Sequence, residues 1–277
     1  MRAKEIHMDD YILSGGGANG ESYIKKSDPS VLLKLYFPGK VQQPLDEMLL
    51  SRKVYQAGIP VPEPGEYVVT DDGRYGILFK RIEGKVSFAS AVGNNPRKVK
   101  EFATEFARMC KELHSTKVDV TVFENVKDRY LKILALNDFF TKAQKDKIAA
   151  FIEKAPEADT AIHGDLQFGN AVFTEDRRYF IDLGDFCYGH PYFDLGMVYL
   201  TCKLGEEEFT AETFHMDCKT ASLFWDAFAK AYFGEDVPLK EIEDEIRPYA
   251  ALKTLIIERD AGCPFPRYRK VLEQTIL

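Results

Sequence analysis

The sequence predicts an α+β chain in two parts: a small, antiparallel, β-rich N-terminal part over residues 1–84 and a larger, mostly helical part over residues 85–277. Three observations predict it. Short runs of β-branched and aromatic residues, separated by turn residues, crowd the first eighty positions. Apolar residues at helical spacing take over from residue 98 onward. The composition changes at Arg81-Ile82-Glu83-Gly84-Lys85, which reads as a linker.

The elements follow in order. Tyr11-Ile12-Leu13 reads as a strand leading into Ser14-Gly15-Gly16-Gly17-Ala18-Asn19-Gly20. Residues 21–26 form a second strand, Ser27-Asp28-Pro29-Ser30 a turn, and residues 31–37 a third strand. Residues 44–57 have a helical pattern, with Pro44 at the start and no breaker before Gly58. Pro60, Pro62 and Pro64 impose an extended stretch. Tyr67-Val68-Val69-Thr70 and Tyr75-Gly76-Ile77-Leu78-Phe79 read as a hairpin about Asp71-Asp72-Gly73. Beyond the linker, Phe102, Phe106, Met109 and Leu113 mark a helix over 98–114, residues 127–155 hold one or two more, and helix resumes from about Asp194. Between them lie three short strands, at Ala161-Ile162, Ala171-Val172-Phe173 and Tyr179-Phe180-Ile181.

Composition excludes several classes. The net charge of -7 offers no basic face for nucleic acid. Five cysteines, an odd number with no C-x-x-C pair, fit a reducing cytoplasm better than a disulfide framework or a zinc site. The first residues carry no apolar core of signal-peptide length, and no run approaches the roughly 18 apolar residues of a membrane span. The expectation is a soluble cytoplasmic protein.

The most informative stretch runs from Ile162-His163-Gly164-Asp165 through Asn170 to Ile181-Asp182-Leu183-Gly184-Asp185. It places a carboxylate, an amide five residues on and a second carboxylate twelve further on. Phosphoryl transfer needs those groups: a base for the attacking hydroxyl and two oxygen ligands for the magnesium on the nucleotide. Asp165 is the candidate base, because a carboxylate within reach both aims an alcohol and takes its proton. Asn170 and Asp182 are the candidate magnesium ligands, since a hard cation prefers oxygen and keeps several waters. His163 reads as a brace of the loop. Asp185 reads as a turn residue, a further ligand or a group behind the ligands. Asp194 reads as a helix N-cap, and His114 as a cap or core residue at a helix end.

Gly15-x-Gly17-x-x-Gly20 matches the dinucleotide fingerprint in form only, because a strand and not a helix is expected after it. Two readings stay open: a glycine-rich loop lying over ATP phosphates through backbone N–H groups, or an ordinary hairpin tip. Lys34 bears on the choice. It sits in an apolar strand beside Leu32 and Tyr36 of the same face, and a buried ammonium needs a partner. Glu47 on the following helix is the candidate. By itself a helical glutamate is more often solvated.

Together these residues resemble the aminoglycoside phosphotransferase/choline kinase group of small-molecule kinases, which share the protein-kinase-like bilobal fold. The resemblance rests on His163-Gly164-Asp165-x4-Asn170, Ile181-Asp182-x2-Asp185 and Asp194-Leu195, on the upstream order of glycine loop, strand lysine and helix glutamate, and on Gly58-Ile59-Pro60-Val61-Pro62. It covers roughly residues 10–200. It implies Asp165 as catalytic base, Asn170 and Asp182 as magnesium ligands, and Lys34 on the ATP phosphates with Glu47 as its partner. It also implies that Gly15, Gly16, Gly17, Asn19, Gly20 and Ser22 form the loop over the phosphates, and that Lys80, Arg81 and Ile82 bind adenine through their backbone. Gln167-Phe168 departs from the His-Pro often seen in this loop. The implied activity is ATP- and magnesium-dependent transfer of the γ-phosphate to a hydroxyl of a small molecule, aminoglycoside-like, an amino alcohol or a sugar. The implied protein acts as a monomer or weak dimer without nucleic acid or membrane partners. Residues 1–84 would bind nucleotide, and 85–277 would carry catalysis and the acceptor. In such kinases acidic residues of the helical tail, here Glu206, Glu207, Glu208, Glu212, Asp217, Glu241, Glu243, Asp244 and Glu245, can bind a cationic acceptor. The commoner reading of such a run is a solvated face.

Two other classes compete. A catalytically silent nucleotide-binding regulator of the same fold would keep the nucleotide residues without turnover. A protein kinase needs an activation segment of some twenty to thirty residues ending in an Ala-Pro-Glu-like motif. Only eleven residues separate Asp182 from Asp194 and no such motif follows, which argues against it.

Overall fold

The computed structural model describes residues 1–17 and 19–277; Ala18 lies outside the described residues. The chain divides into two compact units. The first comprises Met1–Val86 together with Val172–Gly184, and the second comprises Ser87–Ala171 together with Asp185–Leu277. The first unit thus takes in a segment that lies far along the chain from the linker at Gly84.

The first unit is built on a six-stranded sheet. Its strands are β1 (Lys4–Ile6), β2 (Tyr11–Gly17), β3 (Gly20–Lys25), β4 (Asp28–Tyr36), β5 (Pro64–Thr70) and β6 (Tyr75–Lys80), in the order β1-β5-β6-β4-β3-β2. All pairings are antiparallel except β1 with β5. The short, charged β1 carries no period-two apolar pattern and was not expected. The hairpin between β5 and β6 turns at Gly73 with φ +81°, which glycine adopts without strain.

Helix α1 (Gln42–Gln56) follows β4. Alternation along β4 sends Leu33 and Leu35 to one face, where they pack with Tyr11 and Val68. Tyr36 goes to the other face and packs with Met48 of α1, Tyr67 and Ile77. Lys34 shares that second face, which is why it meets α1. The strands β9 (Ala171–Phe173) and β10 (Arg178–Phe180) are neighbours in a three-stranded sheet completed by β7 (Val86–Ser87). β10 is tied to the proline-rich stretch, the Phe180 N–H donating to the Pro60 carbonyl at 2.9 Å.

The second unit is mainly helical: α2 (Phe88–Asn94), α3 (Val99–Ser115), α4 (Val126–Leu136), α5 (Lys142–Lys154), α6 (Tyr192–Tyr199), α7 (Glu207–Phe214), α8 (Cys218–Phe233), α9 (Leu239–Ala261) and α10 (Pro266–Thr275). The π-helical turn Leu200–Leu204 follows α6. A small ladder pairs β8 (Ala161–Ile162) with β11 (Cys187–Tyr188). Helix α2 is too short to show a period; Ser87 caps it by accepting from the Ser90 N–H. Phe106 of α3 packs against Phe88, Phe224 and Phe228, joining α2, α3 and α8. A second cluster, with Tyr130, Ile152, Phe193, Leu252 and Leu272 among its members, joins α4, α5, α6, α9 and α10. The last helix is fastened by Glu258. Its carboxylate is 0% exposed, takes the Arg269 guanidinium at 2.5 and 2.9 Å, and accepts the Phe265 N–H at 2.9 Å. Among the described residues no helix is long and apolar enough to cross a membrane, and the five cysteines are free thiols.

Helices α6 and α9 approach closely at Gly196. A Cβ there would stand 2.6 Å from the backbone carbon of Tyr249. Gly196→Ala is therefore expected to destabilise the protein by about 1–3 kcal/mol, the usual cost of overpacking. Urea denaturation read by far-ultraviolet circular dichroism checks this; a midpoint equal to wild type would contradict it.

Candidate active site

The first unit gathers Lys34, Tyr36, Glu47 and Asp182. The Lys34 Nζ donates to both Glu47 carboxylate oxygens, at 2.7 and 2.9 Å, and to Asp182 Oδ1 at 2.8 Å. Glu47 is 5% exposed, so the solvated reading of this residue is replaced by a buried ion pair. The Tyr36 hydroxyl also donates to Glu47, and the Lys34 ammonium stands 5.2 Å from the Tyr36 ring centroid. Burial alone would lower the Lys34 pKa. The Glu47 and Asp182 carboxylates outweigh it and hold the pKa well above the ordinary lysine range, so the group is a cation.

Asp182 follows β10 with φ +63°, a left-handed backbone that aspartate tolerates better than most residues. A Cβ at Gly184 would lie 3.7 Å from Glu47 Oε2, so the Leu183-Gly184 turn passes close to the pair.

The glycine-rich segment is a hairpin. Gly15 pairs with Ser22, Gly16 with Glu21 and Gly17 with Gly20. A strand follows the glycines, which excludes the dinucleotide-binding arrangement. Gly20 is obligatory because a Cβ would stand 2.1 Å from the Leu35 carbonyl oxygen. At Gly16 and Gly17 nothing among the described residues lies within 4 Å of such a Cβ, so their backbone is uncovered there. The Asn19 carbonyl accepts from the Phe37 N–H at 3.1 Å. Of the adenine candidates, Lys80 ends β6 and donates its N–H to Glu63, and Arg81 donates its N–H to Ser30. Those two N–H groups are committed within the unit, and Ile82 follows them.

The second unit holds Asp165 and Asn170 on one loop after β8. The Asn170 side-chain amide donates to the Asp165 carbonyl at 3.0 Å and to Asp165 Oδ2 at 2.9 Å. The loop is fixed from beneath by Asp194. Its carboxylate accepts the His163 N–H at 2.7 Å and the Gly164 N–H at 2.8 Å, and meets His114 Nε2 at 3.1 Å. Asp194 is thus not the N-cap of α6, which begins two residues earlier after Pro191. It braces the loop instead. Burial would raise the Asp194 pKa, but His114, with help from His163 and Lys253, holds it below the usual carboxylate range. His114 is a core residue whose other ring nitrogen lies 2.8 Å from the Tyr232 hydroxyl.

Gly164 has φ +86°, and a Cβ there would stand 2.0 Å from the Asp185 carbonyl oxygen, so only glycine fits. Phe168 wedges between Phe214 and Phe224, at ring separations of 4.4 and 5.1 Å. Gln167 Oε1 accepts the Gly169 N–H at 2.6 Å. These contacts account for Gln167-Phe168 as internal struts of this loop. Asp185 is paired with Arg129 at 3.3 Å.

Sequence reasoning missed Tyr36, Arg129 and Lys253. Lys253 had a readable signal: a lone lysine in the apolar run Ala250-Ala251-Leu252-Lys253-Thr254-Leu255. Several acidic residues of the tail are committed to local contacts. Asp226 and Glu243 face Lys203 at 2.7 and 3.4 Å, Glu206 faces Arg267 at 3.3 Å, and Asp244 pairs with Lys240. Asp217 caps α8 by accepting from the Thr220 N–H at 2.7 Å.

The depressed Asp194 pKa fixes a pH dependence. A carboxyl whose folded pKa lies below its unfolded value of about 4 stabilises the fold above that value, and the contribution is lost as pH falls through the folded pKa. Asp194→Asn is expected to cost about 3–5 kcal/mol near neutral pH and progressively less below about pH 4. Denaturation midpoints of both proteins across pH 3–7 check this; a difference independent of pH would contradict it.

The model of the Phosphotransferase enzyme family (APH) matches residues 12–231, well over half of the chain. No curated protein matches the sequence. Among solved structures, a thermostable mutant of aminoglycoside phosphotransferase APH(4)-Ia, in ternary complex with ADP and hygromycin B, is similar at 14% identity and a TM-score of 0.60, over 96% of this chain and 92% of that one. The amicoumacin kinase hAmiN in complex with AMP-PNP, Ca2+ and Ami is similar at 16% identity and a TM-score of 0.56, over 96% and 86%. A choline/ethanolamine kinase family protein from Mesorhizobium loti is similar at 17% identity and a TM-score of 0.54, over 95% and 85%. These likenesses show the α+β, protein-kinase-like fold. With the fold and the match across residues 12–231 in agreement, the chain belongs to the Phosphotransferase enzyme family.

Proposed function

We propose that the protein is an ATP- and magnesium-dependent kinase that moves the γ-phosphate to a hydroxyl of a small molecule, aminoglycoside-like, an amino alcohol or a sugar. One observation carries the reading furthest. Lys34, the expected phosphate cation, and Asp182, the expected metal carboxylate, lie 148 residues apart in sequence and are joined at 2.8 Å. The nucleotide complexes of APH(4)-Ia and hAmiN support a nucleotide, and the Ca2+ in the latter supports a divalent ion.

On this reading, residues 1–84 bind nucleotide. Gly15, Gly16, Gly17, Asn19, Gly20 and Ser22 cover the phosphates, and Lys34, fixed by Glu47, contacts them. Lys80, Arg81 and Ile82 receive adenine. Since the N–H groups of Lys80 and Arg81 are already used, recognition there falls to carbonyls and to Ile82. Asn170 and Asp182 fit a magnesium ion by donor chemistry: a carboxylate, and an amide whose NH2 is turned to Asp165 so that its oxygen is the end left for a cation. When bound, the ion would neutralise charge building on the phosphate oxygens. Asp165 receives the acceptor hydroxyl, orients it and takes its proton as the new oxygen–phosphorus bond forms and the bond from the γ-phosphorus to the bridging oxygen breaks, releasing ADP. Residues 85–277 carry catalysis and the acceptor. A cytoplasmic protein working as a monomer or weak dimer is the matching setting.

A screen of ADP release over hydroxylated metabolites and aminoglycosides tests the activity and names the acceptor. Asp165→Ala is expected to lower transfer by about 10²–10⁴-fold while nucleotide affinity persists. Equal turnover in wild type and variant would sink the assignment, and nucleotide binding without turnover in wild type would favour a silent regulator. Lys34→Met is expected to raise the KM for ATP by about tenfold or more, the equivalent of one charge-assisted hydrogen bond. An unchanged KM in the folded variant would remove Lys34 from the nucleotide site.

A further inference from the structure

Lys253 lies on α9, beyond the residues 12–231 matched by the family. Its side chain is buried, the residue being 3% exposed, among Ala250, Leu252, Thr254 and Leu255, which are likewise buried. An ammonium in such surroundings persists only where partners compensate its lost hydration. Its Nζ donates to the Gly164 carbonyl at 2.7 Å and stands 5.6 Å from the Tyr130 ring centroid. Burial would lower its pKa, but Tyr130, Asp194 and Asp165 more than offset that, and the pKa stands above the ordinary lysine range.

The geometry gives this cation a task. The N–H groups of His163 and Gly164 are held by Asp194, and the Gly164 carbonyl is held by Lys253. The peptide joining Gly164 to Asp165 is planar, so the direction of that carbonyl sets the plane from which the Asp165 Cα departs. Gly164 lies in the left-handed region, where the missing side chain leaves the backbone least restricted. The other end of the same peptide, the Asp165 N–H, donates to His163 Nδ1 at 3.4 Å, so the shorter bond from Lys253 is the stronger of the two holds on its orientation.

We propose that Lys253 is a positioning residue for Asp165: by holding the Gly164 carbonyl it aims the Asp165 carboxylate at the acceptor hydroxyl. The inference rests on the reading of Asp165 as the group that receives the hydroxyl. It assigns to helix α9 a part in catalysis without contact with substrate.

The test compares full-length Lys253→Met and Lys253→Gln with wild type and with Asp165→Ala. Turnover is followed as ADP release from ATP, with whichever hydroxyl compound of the screen wild type uses, and with water as acceptor if it uses none. Amide hydrogen exchange is measured on the same proteins without ligand. Lys253→Met is expected to lower kcat at least tenfold, leave the KM for ATP within twofold, and speed exchange in residues 163–170 selectively. Lys253→Gln, whose shorter amide reaches the carbonyl poorly, is expected to show a smaller loss of the same kind, and it carries the test if the Met variant does not fold. Wild-type kcat with unchanged exchange overturns the proposal. So does a joint change of kcat and KM with faster exchange throughout the second unit, which would mark a merely structural lysine. An inactive Asp165→Ala beside fully active Lys253 variants overturns the role of Lys253 alone. A fully active Asp165→Ala overturns the reading of Asp165 and the proposal with it, even where the Lys253 variants loosen residues 163–170.

Discussion

One buried carboxylate organises the second unit. Asp194 is fully buried, and it is tolerable there because both carboxylate oxygens are met: the Gly164 N–H reaches one, and the His163 N–H and the His114 ring the other. The same contacts that satisfy the charge determine the loop. A chain segment with a left-handed glycine has many alternatives open to it, and the carboxylate selects one. Asp165 and Asn170 are consequences of that selection, held to each other by a side-chain amide at 2.9 Å. Their neighbour Phe168 anchors the far side of the turn in an aromatic cluster shared by α7 and α8.

The first unit uses the opposite device. There a single ammonium, Lys34, is surrounded by two carboxylates from elements distant in sequence, and Tyr36 adds a third contact to Glu47. Strand alternation supplies the placement: Lys34 and Tyr36 share the face of β4 that meets α1, so the helix must present an acid there or leave a buried cation uncompensated. Both devices hold their groups in place by contacts within the protein itself. That is the condition for catalysis by positioning, which phosphoryl transfer chiefly requires.

Much of this was legible in the residues, and the illegible parts have physical causes. The β4 strand, α1 and the β5–β6 hairpin are visible because their apolar period or turn chemistry is local. Lys34 and Glu47 are visible because a charge in an apolar strand demands a partner. β1, β7 and β11 are short and gain their pairing from neighbours far along the chain, so no local pattern announces them. β2 runs on through three glycines that a propensity argument would exclude, because the partner strand and not the residues themselves holds them extended. Asp194 looked like a cap since an acid near a helix start usually is one. Its actual partners, the backbone of a loop some thirty residues upstream, cannot be read from spacing.

The ion pair of Glu258 with Arg269 gives the far end of the chain a reach beyond its own helix. Glu258 stands on α9 five residues after Lys253, and its carboxylate is met by Arg269 and the Phe265 N–H of the segment that follows Gly262. Trimming or displacing that segment leaves a carboxylate stranded on the inner face of the helix that also carries the Gly164 tether. The end of the chain and the Gly164 carbonyl are therefore fastened to the same helix, at side chains five residues apart.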